Sequence, residues 1–272
     1  MQKRLMFFVA LVVAAVSVIA GSAMAAGGTP VKASVVYNST IPNGPRANLP
    51  SEGPEAYAFN EFGNKINLAG TARRLTSVTV TLSSWACVQG TWVAGNCSTP
   101  SGATFLQPVT LNIYDPAVST TTPLATSTQT FAVPYRPSAS PKCTGGRWYS
   151  SGTKTCFNGL ASDVTFSFSG VTLPNTLVYG ITYNTSHFGS APIGEAAACY
   201  GTTAGCPYDS LNIALSTDAD VSAGSSTSDT VWQNSPYAGQ YCDGGTGGFG
   251  MFRADSGCWA PYVPAVQFKA GN

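Results

Sequence analysis

Apolar and polar residues alternate along most of this chain, and the pattern restricts the fold more than any other feature. Residues 78–82 read VTVTL, residues 164–168 read VTFSF, and the same period of two recurs at 109–113 and 211–215. Alternation gives a β-strand one apolar and one polar face, and β-branched and aromatic residues suit that pleated surface. Further strand-like segments are 35–37, 56–62, 127–133, 177–183 and 266–268.

The fold class follows from these segments and from what separates them. Clusters of Gly, Pro, Asn and Ser lie between the strands, and no segment of the mature chain has helical periodicity. Many short strands of this kind are typical of antiparallel sheets packed face to face. We therefore predict an all-β, antiparallel β-sandwich with jelly-roll-like connections, in which each sheet has one packed face and one wet face.

Eight cysteines fall into four close pairs along the chain. The predicted disulfides, each closing one local loop, are Cys87–Cys97, Cys143–Cys156, Cys199–Cys206 and Cys242–Cys258. Eight cysteines permit about 105 pairings, and closeness in sequence favours this one. Zinc binding is the alternative, but zinc sites usually need closer cysteine spacing or several histidines, and His187 is the single histidine. The expected role of the disulfides is to fix loop shape.

The N-terminus has the layout of a secretory signal peptide. Lys3 and Arg4 precede an apolar run at 6–20, and residues 23–25 read AMA, a small-residue cleavage site. The apolar run is short for a membrane span, although an uncleaved anchor is the alternative. The predicted organisation is a signal peptide, residues 1–25, and a single secreted β-sandwich domain, residues 26–272, with an extracellular location.

Charged residues are scarce, which narrows the choice of partner. Without Lys3 and Arg4 the thirteen basic residues become eleven, against twelve acidic residues, so the mature chain has a net charge of about −1. Nucleic-acid binding depends on a basic surface, and membrane-surface binding on a basic amphipathic segment. The sequence has neither, so we predict no nucleic-acid partner and no membrane partner after signal cleavage. A polysaccharide or a cell-surface component is the expected partner.

The segment between Cys242 and Cys258 satisfies the pattern G-x-G-x-x-G at Gly245, Gly247 and Gly250. In dinucleotide-binding proteins such glycines follow a parallel strand and open a helix that faces the pyrophosphate. This segment lies in an all-β chain, within a predicted disulfide loop. We interpret the glycines as residues that let the loop fold tightly, and we predict no nucleotide cofactor.

The acidic residues give weak support for an enzyme. Glu55 and Glu61 would share one face of a strand at about 20 Å separation. A glycosidase needs two carboxyl groups about 5.5 Å apart, or roughly 6.5–9.5 Å for inversion. Cross-strand pairing with Asp115, Asp163 or Asp209 stays open. No G-x-S-x-G motif supports a serine nucleophile, and we predict no catalytic residue.

Asp218 and Asp220 form a candidate calcium site, together with Ser222 and Asp229. Ca²⁺ takes roughly six to eight oxygen ligands from a compact loop. The EF-hand pattern fails here because Ala223 stands where its glycine belongs and no glutamate closes the loop. A solvated turn is the alternative, and no other cofactor is predicted.

Aromatic residues on the loops are the candidate binding groups. The candidates are Trp148, Tyr149, Trp232, Tyr237, Tyr241, Trp259 and Tyr262, and Phe249 and Phe252 lie in the same loop region as the later ones. A rigid Trp or Tyr ring can stack on the C–H face of a sugar or anchor a protein contact. The alternative is that these rings form a small core beneath long loops.

Four segments carry a resemblance to a known group of proteins. They are EFGNKINLAGTARRLTSVTVTLSSW at 61–85, PYRPSA at 134–139, LVYGITYNTSHFG at 177–189 and PYDSLNIAL at 207–215. Together they resemble uncharacterised secreted bacterial proteins whose β-sandwich-like domains occur with interchangeable surface anchors. The resemblance implies an extracellular setting and supplies no catalytic residues. The chain differs from anchored members because it has no sortase-type motif and no apolar C-terminal tail.

Three functions follow as hypotheses, in order of preference. The first is a non-catalytic extracellular module that binds carbohydrate or a cell-surface polymer through its aromatic loops. The second is a structural envelope or matrix protein without a small ligand. The third is a glycoside hydrolase-like enzyme, which would require two carboxylates close together in an open groove.

Overall fold

Strands make up almost all of the regular structure. The computed structural model describes residues 32–41, 49–54, 59, 61–92, 94–183, 211–234, 252–257 and 259–272. Within these residues Pro54 alone has α-helical conformation, and a single 3-10 turn covers Asp218–Asp220. The all-β prediction is therefore confirmed. None of the described segments forms an apolar helix of the length needed to cross a membrane. The predicted signal peptide lies outside the described residues.

Sixteen strands are present in the described part of the chain. Their bounds are β1 Ser34–Asn38, β2 Ser51–Glu52, β3 Phe62–Asn67, β4 Arg74–Ser84, β5 Thr104–Tyr114, β6 Ala125–Pro134, β7 Trp148–Ser150, β8 Thr155–Phe157, β9 Leu160–Ser167, β10 Thr176–Thr182, β11 Leu211–Thr217, β12 Ser225–Ser226, β13 Thr230–Gln233, β14 Arg253–Ser256, β15 Tyr262–Pro264 and β16 Val266–Gly271. The alternating sequence segments at 78–82, 109–113 and 211–215 lie in β4, β5 and β11, as predicted.

Two antiparallel sheets of seven strands each form the sandwich. In the first sheet the order is β1-β16-β4-β11-β15, with β2 paired to β11 and β9 paired to β4. In the second sheet the order is β14-β13-β3-β10-β5-β6, with β12 paired to β3. A separate hairpin joins β7 and β8. This strand order shows a sandwich and does not confirm jelly-roll connections.

Aromatic side chains from the inner faces of both sheets meet in the core. Phe166 of β9 lies 5.0 Å from Phe131 of β6, centroid to centroid, and Phe268 of β16 lies 5.5 Å from Tyr179 of β10. Apart from Phe131, which is partly buried, these rings are completely buried. Burial of apolar area is the main force that holds two such sheets together, at about 25 cal/mol per Å².

The prediction that each sheet has one wet face fails at two central strands. In β10, Val178 and Gly180 on the outer face are buried as well as the inward residues, and in β11 six of seven positions are buried. The outer positions of β11 include Asn212, which donates a hydrogen bond to Ser51 of β2. Additional side chains and short strands therefore cover these strands, which sequence alternation alone does not reveal.

The first described strand pairs with the last. In the β1–β16 ladder Ser34 lies opposite Ala270 and Asn38 lies opposite Gln267, with an irregularity between Val35 and Tyr37. Strand β16 also pairs with β4 along its other edge. The two ends of the described chain are thus neighbours within the first sheet.

Two of the four predicted disulfides are confirmed. Cys87 bonds to Cys97, with Cα atoms 5.4 Å apart, and Cys143 bonds to Cys156, with Cα atoms 5.8 Å apart. The predicted pairs Cys199–Cys206 and Cys242–Cys258 lie outside the described residues. Both observed bonds close short loops, and disulfides of this kind are typical of proteins that mature in an oxidising compartment.

Candidate functional site

Strand register aligns five residues in one row across the outer face of the second sheet. Trp232 lies opposite Gly63, Gly63 opposite Gly180, Gly180 opposite Asn112, and Asn112 opposite Thr126. Each has at least one chain neighbour that belongs to the core or packs against it, namely Val231, Phe62, Tyr179, Leu111 and Ala125. Because side chains alternate along a strand, these five residues face away from the core. We call them the transverse row.

Two adjacent glycines leave the middle of the transverse row without side chains. The side chain of Glu61 fills the space above Gly180, where a Cβ atom would overlap the carboxyl group. The Glu61 backbone N–H donates to Asn234 Oδ1 at 2.9 Å, which ties the start of β3 to the end of β13. Glycine within a strand often marks such a close approach. Gly180 thus lets an acidic side chain cross a strand.

Two side chains of β5 donate hydrogen bonds to the Glu61 carboxylate. Asn112 Nδ2 donates to Oε1 at 3.0 Å, and the Tyr114 hydroxyl donates at 2.9 Å to Oε1 and 3.1 Å to Oε2. Thr126 Oγ1 in turn donates to Asn112 Oδ1 at 2.9 Å. A buried carboxylate is tolerated when it accepts such bonds. The result is a continuous chain of hydrogen bonds from the surface of β6 to Glu61.

Three aromatic rings form a series that begins at Tyr114, the donor to this carboxylate, and we call them the ring series. Trp232 packs 5.6 Å from Phe252, and Phe252 packs 5.5 Å from Tyr114, measured between ring centroids. Trp232 and Phe252 are half-buried, whereas Tyr114 is buried. The Trp232 indole N–H is buried and has no acceptor among the described residues, so packing on Phe252 holds this ring.

Burial sets the electrostatics of the site. Glu61 is 9 % exposed, and its burial raises the pKa of the carboxyl group above the ordinary value of 4.5, although the bonds from Asn112 and Tyr114 partly offset this. Burial, together with the nearby Glu61 charge, also raises the pKa of the Tyr114 hydroxyl. Tyr114 therefore stays a hydrogen-bond donor throughout the neutral pH range.

This raised pKa predicts how stability depends on pH. Between pH 4.5 and the folded-state pKa of Glu61, the folded protein binds more protons than the unfolded chain. The Glu61 contribution to the free energy of unfolding therefore falls as pH rises through this window. In Glu61→Gln this fall should disappear, because the amide oxygen still accepts from Tyr114 and does not titrate. Urea unfolding at a series of pH values checks this, and equal pH dependence in both proteins would contradict it.

Two of the candidate aromatic residues are used inside the fold. Trp148 is 8 % exposed, and its indole N–H donates to the Gly159 carbonyl at 2.9 Å. Trp259 is 3 % exposed, donates to Asp255 Oδ2 at 2.8 Å and packs 5.5 Å from Phe62. Tryptophan N–H groups usually find such partners when buried. For these two residues the arrangement matches the alternative, in which rings pack beneath loops.

The remaining candidates are scattered. Tyr149 is half-buried, and the Lys142 ammonium lies 4.8 Å from its ring centroid. Tyr262 is 36 % exposed on β15 of the first sheet. Tyr237 and Tyr241 lie outside the described residues. Of the candidates that the structure describes, Trp232 alone belongs to the ring series.

The disulfide loops contain a second aromatic pair, which the sequence analysis did not select. Trp85 and Trp92 pack edge to face at 4.6 Å beside the Cys87–Cys97 bond. Nearby, Arg136 is completely buried and donates to the Gly146 carbonyl at 2.6 Å, and burial lowers its pKa to about 10. These loops have a packed interior of their own.

The candidate calcium ligands do not converge. Asp220 accepts hydrogen bonds from the backbone and side chain of Thr217 at 2.9 and 2.8 Å. Asp218 accepts from Ser228 at 2.9 Å and from Ser226 at 3.3 Å. Both carboxylates are therefore used within their own loop. Among the described residues no group of three or more His, Cys, Asp or Glu side chains could hold a metal ion.

The acidic residues near the ring series do not face each other. Glu61 lies on the outer side of the second sheet, whereas Asp255, 2 % exposed, pairs opposite the core residue Val231 and accepts from Trp259. A pair of carboxylates on one open groove is what a glycosidase needs. His187, Glu55, Asp209 and the glycine pattern at 245–250 lie outside the described residues.

Sequence reasoning missed most of this site. From the sequence, Glu61 is weighed only as a possible catalytic acid, Phe252 is noted without being selected, Asn112 is treated as part of a strand-like segment and Tyr114 is not mentioned. The available signal was Gly180 in the middle of the strand-like segment 177–183, because an interior glycine indicates a close approach. The sequence did not indicate which side chain makes that approach.

Comparisons with protein-family models, with curated proteins and with solved structures gave no match to this chain. The resemblance to secreted bacterial sandwich proteins therefore stays a prediction.

Proposed function

We propose that the protein is a secreted, non-catalytic module that binds carbohydrate or a cell-surface polymer on the outer face of its second sheet. The observation that supports this most directly is the ring series Trp232–Phe252–Tyr114 beside a hydrogen-bonded acid. The two confirmed disulfides support the extracellular setting.

The chemistry of the site suits a sugar. A pyranose ring has apolar C–H faces and a rim of hydroxyl groups, so it needs a flat aromatic surface with polar groups beside it. Trp232 and Phe252 are half-buried and supply the aromatic surface. Asn112, also half-buried, and the exposed Thr126 supply polar groups on the same face.

Binding without catalysis is favoured over hydrolysis by the position of the acids that the structure describes near the ring series. Glu61 accepts from Asn112 and Tyr114 and lies on the outer face, while Asp255 is directed to the interior. Hydrolysis of a glycosidic bond requires a second carboxyl group within about 10 Å on the same open surface. The arrangement of Glu61 serves to hold the site in place.

Replacement of Trp232 by alanine should weaken polysaccharide binding at least about tenfold, because a central tryptophan commonly contributes most of the energy of a contact. The matched control is Trp85→Ala, which removes another half-buried tryptophan from the disulfide loops. Retention on immobilised polysaccharides and calorimetric titration with soluble oligosaccharides measure binding, and thermal unfolding verifies that both variants fold.

The two variants separate the possible locations of the site. Loss of binding in Trp232→Ala but not in Trp85→Ala supports the proposal. Loss of polysaccharide binding in Trp85→Ala alone would show that the binding site lies at the disulfide loops instead. Absence of polysaccharide retention by the unmodified protein would exclude the carbohydrate function.

A further inference from the structure

The outer face of the second sheet continues beyond the transverse row as a band of hydroxyl groups. Thr110 and Thr128 form a cross-strand hydrogen bond at 2.7 Å, and Thr126 bonds to Asn112 at 2.9 Å. Thr126 and Thr128 are exposed, and Thr110 is half-buried. We call Thr110, Thr126 and Thr128 the threonine ladder. It lies at the β5–β6 edge of the same face that carries Trp232 at its other side.

The hydrogen bonds of the threonine ladder orient its free acceptor and donor positions. Thr126 donates its hydroxyl proton to Asn112, which donates onward to Glu61, so the exposed Thr126 oxygen is left as an acceptor. In the Thr110–Thr128 pair one hydroxyl donates to the other, which leaves one hydroxyl proton free. The band therefore offers both kinds of partner that a sugar hydroxyl needs.

The geometry defines a path longer than a single sugar ring. Trp232 and Thr126 are separated by four strand intervals, and neighbouring strands lie about 4.8 Å apart, which gives a path of roughly 19 Å. Gly63 and Gly180 add no side chains of their own to the middle of this path, and among the described residues Glu61 and Phe252 lie beside it. A linear chain of sugars that runs across the strands fits these dimensions.

The charge of the path favours a neutral ligand. Among the described residues Glu61 borders the transverse row, and its buried carboxylate already accepts hydrogen bonds from Asn112 and Tyr114. Lys65 is exposed on the same face, one register step away and opposite Val178. A polyanion would approach a negative group with little compensation, whereas a neutral polymer meets hydroxyl and amide groups.

We propose that the ligand is a neutral linear polysaccharide that lies across the strands, stacks on Trp232 and forms hydrogen bonds along the threonine ladder. This inference depends on the proposed carbohydrate-binding function and adds the class, the direction and the length of the ligand.

The test removes hydroxyl groups from the threonine ladder and keeps the shape of the side chains. Thr126→Val and Thr128→Val together should lower the affinity for long neutral oligosaccharides about tenfold, because two hydrogen bonds of about 0.5–1.5 kcal/mol are lost, and short ones should change little. The matched control is Thr79→Val with Thr165→Val, which removes an equivalent hydroxyl pair, 2.9 Å apart, from the first sheet. The probes are linear gluco- and manno-oligosaccharides of increasing length, with polygalacturonate as the polyanion.

Each outcome decides between the two proposals. A length-dependent loss confined to the Thr126/Thr128 variant supports the inference. Unchanged affinity in that variant, with loss in Trp232→Ala, overturns the inference and leaves the proposed function standing. Preference for polygalacturonate over the neutral oligosaccharides overturns the inference that the ligand is neutral. No binding of any probe by the unmodified protein overturns both, and self-association lost in the Thr126/Thr128 variant would then assign the face to a second copy of the chain.

Discussion

Gly63→Ala is expected to lower the free energy of unfolding by about 3 kcal/mol. A Cβ atom on Gly63 would overlap the carbonyl oxygen of Tyr179 and lie 2.7 Å from its carbonyl carbon. Overpacking typically costs about 1–3 kcal/mol, and here the obstacle is backbone rather than a flexible side chain, so the cost lies at the top of that range. Strand β3 would have to move away from β10. Equilibrium unfolding in urea measures the effect.

Gly63→Ala should also weaken ligand binding, because Gly63 lies between Trp232 and Gly180 in the transverse row. The control is Gly152→Ala, where a Cβ atom would meet nothing nearer than Ser150 Oγ at 4.0 Å. That variant should stay within about 0.5 kcal/mol of the unmodified protein. Equal stability of the two variants would show that β3 and β10 do not approach each other as described.

Phe268→Ala is expected to have the largest effect on stability, about 3–5 kcal/mol. The ring is completely buried and lies between Tyr179 of the second sheet, at 5.5 Å, and Tyr37 of the first, at 6.4 Å. Its removal loses apolar burial and leaves a cavity where the two sheets meet. Since small domains are stable by only about 5–15 kcal/mol, the loss should be evident as a large fall in the unfolding midpoint.

An exposed apolar residue gives the control for this core position. Leu106, in β5, is 64 % exposed, so Leu106→Ala should change stability by less than about 0.5 kcal/mol. A similar loss at both positions would mean that Phe268 does not join the sheets. Denaturant unfolding followed by tryptophan fluorescence and by circular dichroism provides the two measurements.

The strands were predictable because their cause is local. In β4 and β5 the residues that face the core alternate with Thr, Ser and Asn, and each strand can be assigned without knowledge of its partners. The same holds for Cys87–Cys97 and Cys143–Cys156, whose members are close in sequence. Closeness along the chain was enough to pair them.

The candidate site was not predictable in the same way because it depends on strand register. Glu61 meets Asn112 and Tyr114 across Gly180, and these contacts join positions more than fifty residues apart. A shift of one residue in any of the three strands would turn that strand's contribution to the site to the other face. Trp148 and Trp259 show the reverse case: an aromatic residue in or next to a cysteine-bounded loop has the same sequence signature whether its ring is exposed or buried.

The pairing of β1 with β16 has a consequence for the order of events during maturation. When the chain emerges amino end first, β1 and β4 are exposed long before β16, the strand with which both of them pair, is available. Proteins that depend on such pairings between strands distant in sequence fold slowly, in milliseconds to seconds. We expect the first sheet to remain incomplete until β16 is available, so that a chain truncated before Val266 stays sensitive to protease even though most of its strands are present.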